Sequence, residues 1–192
     1  MNAFYLLSQA GFDRRIPDSA FSRDLEVLRE YTDKNGKPVT DVTLGDEFQV
    51  HLRFRALGAR PVASVALVDL LPGGFEVVEQ ARATVVPARR TGNQGEAEGE
   101  VEGGEGRAGA ASQWTPTFGQ AVGSWVPDYA EVREDRVNVY GLADASAREF
   151  VYTVKATASG SFAVPPAYGE GMYDRAVRAW SQPGKIVVRR PK

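Results

Sequence analysis

The 192-residue sequence predicts an all-β fold, an antiparallel β-sandwich of about eight or nine strands. Apolar and polar side chains alternate along several segments, which is typical of strands with one buried face. The chain also contains 20 glycines and 11 prolines, and turn-forming sequences such as Pro72-Gly73-Gly74 separate the alternating segments. Many short strands joined by turns are typical of a sandwich or a barrel.

Residues 25–31, the first predicted strand, have a sequence that fits either a helix or a strand. Phe21, Leu25 and Leu28 lie at helical spacing, whereas the alternate apolar positions fit a strand in which Leu28 faces outward. The turn-forming sequence at 34–38 favours the strand because it leads directly into a partner.

The other strands follow from alternation and from apolar runs. In residues 48–55 every second side chain is apolar, and residues 150–156 repeat this pattern. Residues 62–71 are more continuously apolar, which predicts a strand that is buried on both faces. The remaining predicted strands lie around Val132, Val137 and Val139, at 161–164, and at 186–188.

One stretch does not fit the sandwich. Residues 88–112 contain seven glycines, five glutamates and three arginines, and only Val101 is large and apolar. Such a segment cannot compensate its ordering entropy by burial, so we expect a flexible loop inserted in a single domain of residues 1–192. Trp114, Phe118 and Trp125 follow, and we expect them to return the chain to the core or to cap the sandwich; a peptide-binding patch is the alternative.

Composition excludes several classes of function. The content of 43% hydrophobic and 25% charged residues is that of a globular protein. The formal net charge of −2 leaves no basic excess for phosphates, so we expect no nucleic-acid partner. Because cysteine is absent, the chain has no disulfide, no thiol nucleophile and no cysteine-bound metal. We expect no cofactor and no metal site.

The sequence offers little that supports an enzyme. His51 is the single histidine, and it alternates with Arg53 and Arg55 on the polar face of its predicted strand. Glu131 and Asp135 could form the carboxylate pair of a glycosidase. A tight turn between two strands explains the second carboxylate better, so we expect no catalytic activity.

The C-terminal part contains an unusual run. Pro165-Pro166 ends the strand at 161–164, and a glycine-spaced loop with Tyr168, Met172 and Tyr173 is expected to follow. Large side chains on a loop are either tucked into the domain or displayed to a partner. The residues alone favour the tucked arrangement.

In these residues the sequence resembles the C-terminal macroglobulin-like domain of bacterial alpha-2-macroglobulins. The stretches Leu70-Leu71-Pro72-Gly73-Gly74-Phe75-Glu76 and Pro165-Pro166 followed by Met172-Tyr173-Asp174 are the most specific. Weaker matching stretches lie in the same order across the chain outside 88–127, at 25–31, 33–39, 45–47, 65–69 and 133–137.

The resemblance implies the macroglobulin type of sandwich, which is immunoglobulin-like, and a role in protease inhibition without catalysis. A protein of this family resides in the periplasm, often at the inner membrane through a lipidated N-terminus, and traps a protease that cleaves its bait region. Many members capture the protease through a Cys–Gln thioester. Since this chain has no cysteine, that motif would lie in a preceding domain.

The resemblance also implies the site residues. Met172 and Tyr173 match the loop that packs against the thioester domain and shields the reactive bond from water. Tyr168 matches no position of the family, and it is expected to contribute to the same contact. The partners would be neighbouring domains of the full-length chain, trapped proteases and other periplasmic proteins. The alternative is a stand-alone binding module, an adhesin or complex-assembly domain, that uses Trp114 and Trp125.

Overall fold

A computed structural model describes residues 16–78 and 125–191 of the chain. The predicted loop at 88–112, Trp114 and Phe118 lie outside the described residues. Within the two ranges the chain forms thirteen strands, and no segment there forms a helix that could cross a lipid bilayer. The strands are β1 Phe21–Arg23, β2 Leu25–Thr32, β3 Asp41–Thr43, β4 Glu47–Ala56, β5 Val62–Leu70, β6 Phe75–Val77, β7 Tyr129–Val132, β8 Arg136–Ala143, β9 Arg148–Ala156, β10 Gly160–Val164, β11 Tyr168–Gly171, β12 Arg178–Trp180 and β13 Gly184–Arg189.

The strands form three sheets. One sheet has the order β1-β12-β11-β5-β8-β7, and a second has the order β2-β4-β9-β6. A third, smaller sheet has the order β10-β13-β3, in which β13 and β3 form the one parallel pair among the described strands. The six-stranded and four-stranded sheets pack against each other around a single apolar core. The predicted antiparallel β-sandwich is therefore confirmed.

The alternation predicted from the sequence is visible in the two longest strands. Phe48, Val50, Leu52 and Phe54 of β4 are buried, and the partners of the first three in β9, Val154, Tyr152 and Phe150, are buried opposite them. The side chains between them lie on the outer face of the four-stranded sheet, as period two requires, and they are polar except for the buried Val151.

The segment at 25–31 is a strand, as the turn after it predicted. β2 pairs with β4 along its whole length, and Leu28 points outward with 52% of its surface exposed. The turn follows at once, with the amide N–H of Gly36 donating to the carbonyl oxygen of Asp33 at 2.9 Å. Gly36 has a φ of 76°, a conformation that favours glycine.

The other sequence predictions hold for the long strands and fail for some short ones. In β5, Val65, Ala66 and Leu67 are consecutive and all buried, as predicted for a strand that is covered on both sides. The described residues contain more strands than the eight or nine predicted, because six of them have only three or four residues and are too short to show alternation. These six are β1, β3, β6, β7, β11 and β12.

Tyr168 was predicted on a loop, and this is wrong. Tyr168 begins β11, which lies between β5 and β12 in the middle of the six-stranded sheet. Glycine is needed next to it, because a Cβ atom on Gly169 would lie 2.8 Å from Val27 Cγ2. The glycine spacing that indicated a loop instead allows the opposing sheet to approach closely.

Candidate functional site

The loop of residues 172–177, which follows β11, is held by its own backbone. At its start the amide N–H of Met172 donates to the carbonyl oxygen of Ser64 at 2.9 Å. Its base is closed by the amide N–H of Gly171, which donates to the carbonyl oxygen of Val177 at 2.9 Å. Asp174 caps the turn inside the loop, since its carboxylate accepts the amide N–H of Ala176 at 3.0 Å. The side chains at the tip therefore project from a defined backbone.

Those side chains are displayed rather than tucked in. Met172 is 49% exposed and Tyr173 is 90% exposed. The side-chain types alone predicted that these residues are buried in their own domain, and for Tyr173 this prediction is wrong. A large aromatic side chain that protrudes from an ordered loop contributes little to its own domain, and such residues are common energetic anchors in protein interfaces.

A shallow groove lies beside the loop and extends its apolar surface. The groove has a volume of about 530 Å³. Tyr173 and Val177 line one side, and the segment from Gly58 to Ser64, which leads into β5, lines the other. The protruding ring and the adjoining groove together form a surface that an apolar partner element can contact.

Tyr168 does not lie with Met172 and Tyr173. It is at the other end of β11, about 13 Å away along the strand at 3.3 Å per residue. Its hydroxyl donates to the carboxylate of Glu170 at 2.9 Å, and the side chain is partly buried. Partial burial and the Glu170 carboxylate raise the pKa of Tyr168. The structure thus brings together two of the three residues predicted for the interface.

Trp125 is a core residue, which corrects its interpretation as an exposed binding aromatic. It is only 9% exposed, and its ring packs edge-on against Phe54 with centroids 4.7 Å apart. The indole N–H donates to the carbonyl oxygen of Leu142 at 3.2 Å. Trp125 therefore returns the chain to the core, the first of the two roles considered for it. The other predicted binding aromatic, Trp114, lies outside the described residues.

A buried polar cluster links the two large sheets, and the sequence reasoning missed it. Arg29 of β2 donates one guanidinium N–H to the carboxylate of Asp69 in β5, and another to the carbonyl oxygen of Pro165. The side chains of Arg29 and Asp69 are 2% and 1% exposed. Tyr152 of β9 completes the cluster, because its hydroxyl donates to the second carboxylate oxygen of Asp69 at 2.7 Å.

The charge states of this cluster follow from its burial. Burial alone would lower the pKa of Arg29, but the Asp69 carboxylate, together with Tyr31 and Tyr152, outweighs burial and the pKa is raised. Burial, together with the Asp69 charge, raises the pKa of Tyr152 well above its ordinary value. Arg29 thus remains a cation and Tyr152 a hydrogen-bond donor at physiological pH.

The proposed carboxylate pair of a glycosidase has the wrong electrostatics. Glu131 on β7 accepts hydrogen bonds from Arg133 and Asn138, which lower its pKa. Asp135 lies in the turn between β7 and β8, and Arg136 lowers its pKa through two hydrogen bonds of 2.9 and 2.7 Å. A glycosidase needs one carboxyl group with a raised pKa as its general acid, and neither residue provides it.

His51 has structural partners. Its Nε2 atom lies 2.8 Å from the hydroxyl of Thr32, and its Nδ1 atom lies 3.0 Å from the carboxylate of Glu149. These contacts belong to a network on the outer face of the four-stranded sheet, in which Arg53 also donates to Glu149 at 2.8 Å. Within 16–78 and 125–191, no group of three or more histidine or carboxylate side chains is arranged to hold a metal ion.

Comparison with known proteins identifies relatives of the whole chain. The family described as "Bacterial Alpha-2-macroglobulin MG10 domain" matches residues 25–175. The chain is 44% identical over 191 residues to the alpha-2-macroglobulin homolog of Yersinia pestis and 36% identical over 189 residues to the alpha-2-macroglobulin of Pasteurella multocida (strain Pm70). These alignments cover 99% and 98% of this chain, which spans 9% and 8% of the length of the two relatives.

A solved structure has the same fold. The crystal structure of native alpha-2-macroglobulin from Escherichia coli, from domain MG7 to the C-terminus, superimposes with a TM-score of 0.65 at 23% identity. The alignment covers 93% of this chain and 25% of that one. At this identity the likeness supports the macroglobulin-type sandwich and nothing finer.

Proposed function

Because the chain belongs to the bacterial alpha-2-macroglobulin MG10 domain family, we propose that it is the C-terminal domain of a protease trap and contacts its neighbours through the 172–177 loop. In this role the domain is not catalytic. It packs on the thioester-type domain of the same full-length chain and keeps water away from the thioester until a protease cleaves the bait region. The full-length protein acts in the periplasm, anchored at the inner membrane through a lipidated N-terminus.

The observation that supports the proposal best is the display of Met172 and Tyr173 on a fixed loop. A thioester persists only where water is excluded, and an apolar side chain beside an aromatic one excludes water efficiently. Because the loop backbone is held by hydrogen bonds at both ends, little conformational entropy is lost when it docks.

Two charged side chains, Asp174 and Arg175, lie beside the apolar tip of the loop, and Arg175 is exposed. The carboxylate of Asp174 is directed into the loop by its bond to the amide N–H of Ala176. The Tyr173 ring offers its partner a mostly apolar surface, and its hydroxyl can make one hydrogen bond.

The proposal is tested by replacing both side chains in the full-length protein. We expect Met172→Ala/Tyr173→Ala to raise the rate at which methylamine releases a free thiol from the thioester by about tenfold or more. Truncating an interface anchor typically costs more than about 1 kcal/mol of binding free energy. A loss of about 1.4 kcal/mol raises tenfold the fraction of molecules in which the loop has left the thioester domain and the thioester is accessible. Trapping of protease should fall accordingly, because more thioester is hydrolysed beforehand.

The matched control is Leu28→Ala/Tyr129→Ala, which removes one aliphatic and one aromatic side chain that are each about half exposed on other surfaces. This variant should keep the rate of the unmodified protein. Equal rates in all three proteins would contradict the shielding role. So would a full-length sequence without the Cys-x-Glu-Gln motif, in which the loop would serve only as a domain contact.

A further inference from the structure

The chain that leads into the 172–177 loop is held at several points. β10 fixes Val164 through its pairing with β13. The carbonyl oxygen of Pro165 then accepts a hydrogen bond from the buried guanidinium of Arg29. After Pro166 the chain enters β11, which pairs with β5 up to the start of the loop.

The inner face of β11 does not define the register of this strand by itself. Its two inward-facing residues are Gly169 and Gly171, so the strand presents the same residue type to the core at positions two residues apart. A shift of β11 that places Gly171 where Gly169 now lies would still present a glycine to the core. Register is weakly specified in glycine-rich strands of this kind.

Steric contacts exclude the other small shifts. A Cβ atom at position 169 would lie 2.8 Å from Val27 Cγ2 and 2.9 Å from Leu25 Cδ2. A shift by one residue would bring a larger side chain to that point, and a shift by two in the opposite sense would bring Ala167 there. The shift that replaces Gly169 by Gly171 is the one that these contacts permit.

We propose that Arg29 is a positioning residue that, together with the two hydrogen bonds between Ala167 and Ser181, fixes the register of β11 by holding the carbonyl group of Pro165. The permitted shift moves the strand by about 7 Å, two steps of 3.3–3.4 Å. Because β10 keeps Val164 in place, residues 165–167 would have to bulge to take up the extra chain. The bulge breaks the bond from Arg29 and distorts two consecutive prolines, whose φ angles are restricted.

Arg29 is suited to this task because its own position is fixed. The guanidinium is planar and offers donors in a rigid fork, so one side can bind Asp69 while the other binds the Pro165 carbonyl oxygen. Asp69 is held in turn by the hydroxyl of Tyr152. Since the side chains of Arg29 and Asp69 are almost completely buried, water competes little with the bond to Pro165.

The consequence for the loop rests on the function proposed above. In the shifted register Met172 and Tyr173 would be drawn into β11, and the loop up to Val177 would lose two residues. Tyr173 would then no longer project at the place where a neighbouring domain meets it. Arg29 thereby links the sandwich core to the position of the contact residues.

The register can be measured directly because the chain has no natural cysteine. Glu170 lies opposite Ala66 in the observed register, and it would lie opposite Val68 after the shift. Glu170→Cys/Ala66→Cys therefore reports the observed register by disulfide formation, and Glu170→Cys/Val68→Cys reports the shifted one. Residues diagonal to each other are about 7–8 Å apart, too far for an unstrained disulfide.

We expect Arg29→Met to raise the ratio of shifted to observed disulfide formation by about tenfold or more, because a hydrogen bond from a charged group contributes at least that factor. If Arg29→Met does not fold, Arg29→Met/Asp69→Asn replaces it. This double variant removes both buried charges, and it should raise the disulfide ratio in the same way. The matched control is Tyr152→Phe, which perturbs the same cluster but leaves the bond to Pro165 intact, and its ratio should equal that of the parent.

An unchanged ratio in the Arg29 variant that folds would overturn the inference, as would an equal rise in Tyr152→Phe. The outcome is independent of the proposed function, since disulfide formation reads only the pairing of β11 with β5. If the ratio responds to Arg29 but Met172→Ala/Tyr173→Ala leaves the thioester rate unchanged, the register role stands and the shielding role fails.

Discussion

Replacing Asp69 by alanine is expected to lower the free energy of unfolding by about 3–5 kcal/mol, one of the two largest losses we predict for a single substitution. The carboxylate is 1% exposed and is the only charged group that Arg29 contacts among the hydrogen bonds of the described residues. Removing it leaves the Arg29 cation buried without a counter-charge. It also deprives the Tyr152 hydroxyl of its acceptor.

Urea unfolding of the 192-residue chain measures this loss. The control is Glu26→Ala, which removes an ion pair with Arg55 on the outer face of the four-stranded sheet. That pair is partly solvated, so we expect a change of about 1 kcal/mol or less. A loss for Asp69→Ala no larger than that of the control would mean that the cluster does not stabilise the sandwich.

Replacing Trp125 by alanine is the second large prediction, with an expected loss of about 3–5 kcal/mol. The indole fills the space between Phe54 and Phe150, and it lies against the backbone of Gly141, where an added Cβ would be 2.4 Å from its ring. Truncation leaves a cavity that these neighbours cannot fill, and it removes the bond to the Leu142 carbonyl oxygen.

Trp125→Phe should lower the free energy of unfolding less than Trp125→Ala does. It removes the indole N–H, but it keeps an aromatic ring in the core. Tyr129→Ala, at a half-exposed aromatic residue, should change the stability little. Thermal unfolding distinguishes these cases. If Trp125→Ala unfolds at the same temperature as the parent chain but loses a specific protein partner, Trp125 is a binding residue and the interpretation as a core residue is wrong.

The regular part of the fold was predictable because it depends on local pattern. β4 and β9 each have one face on the core, so their sequences alternate and their burial could be read in advance. The three-residue strands β1 and β12 are defined by their pairing, β1 with β12 and β12 also with β11. Three residues do not establish a period, and sequence periodicity could not reveal them.

The buried cluster shows why part of the site escaped prediction. Asp69 was visible as a lone acidic residue in an apolar run, and Arg29 occupies an inward position of its strand, next to Val27 and Tyr31 in the alternation. A buried charge requires a partner, so both residues carried a signal. The partners are 40 positions apart in the chain, and only the packing of two sheets brings them together.

The residues proposed to contact a neighbouring domain could be predicted only in part. Met172 and Tyr173 were identified by resemblance, while their side-chain chemistry alone favoured burial. Exposure depends on the backbone bonds of the loop, and one of them, from Met172 to Ser64, connects residues far apart in sequence. Tyr168 was grouped with them because glycines suggested a loop, although those glycines serve close packing in a strand.

The central claim, that Tyr173 is covered by another domain until cleavage, is tested most directly by photo-crosslinking. The full-length protein would carry benzoylphenylalanine at position 173 and be irradiated before and after treatment with a protease that cuts the bait region. We predict an intrachain crosslink to the thioester-type domain before cleavage and its loss afterwards. The absence of a crosslink to that domain in the intact protein, or a crosslink that cleavage does not change, would contradict the account.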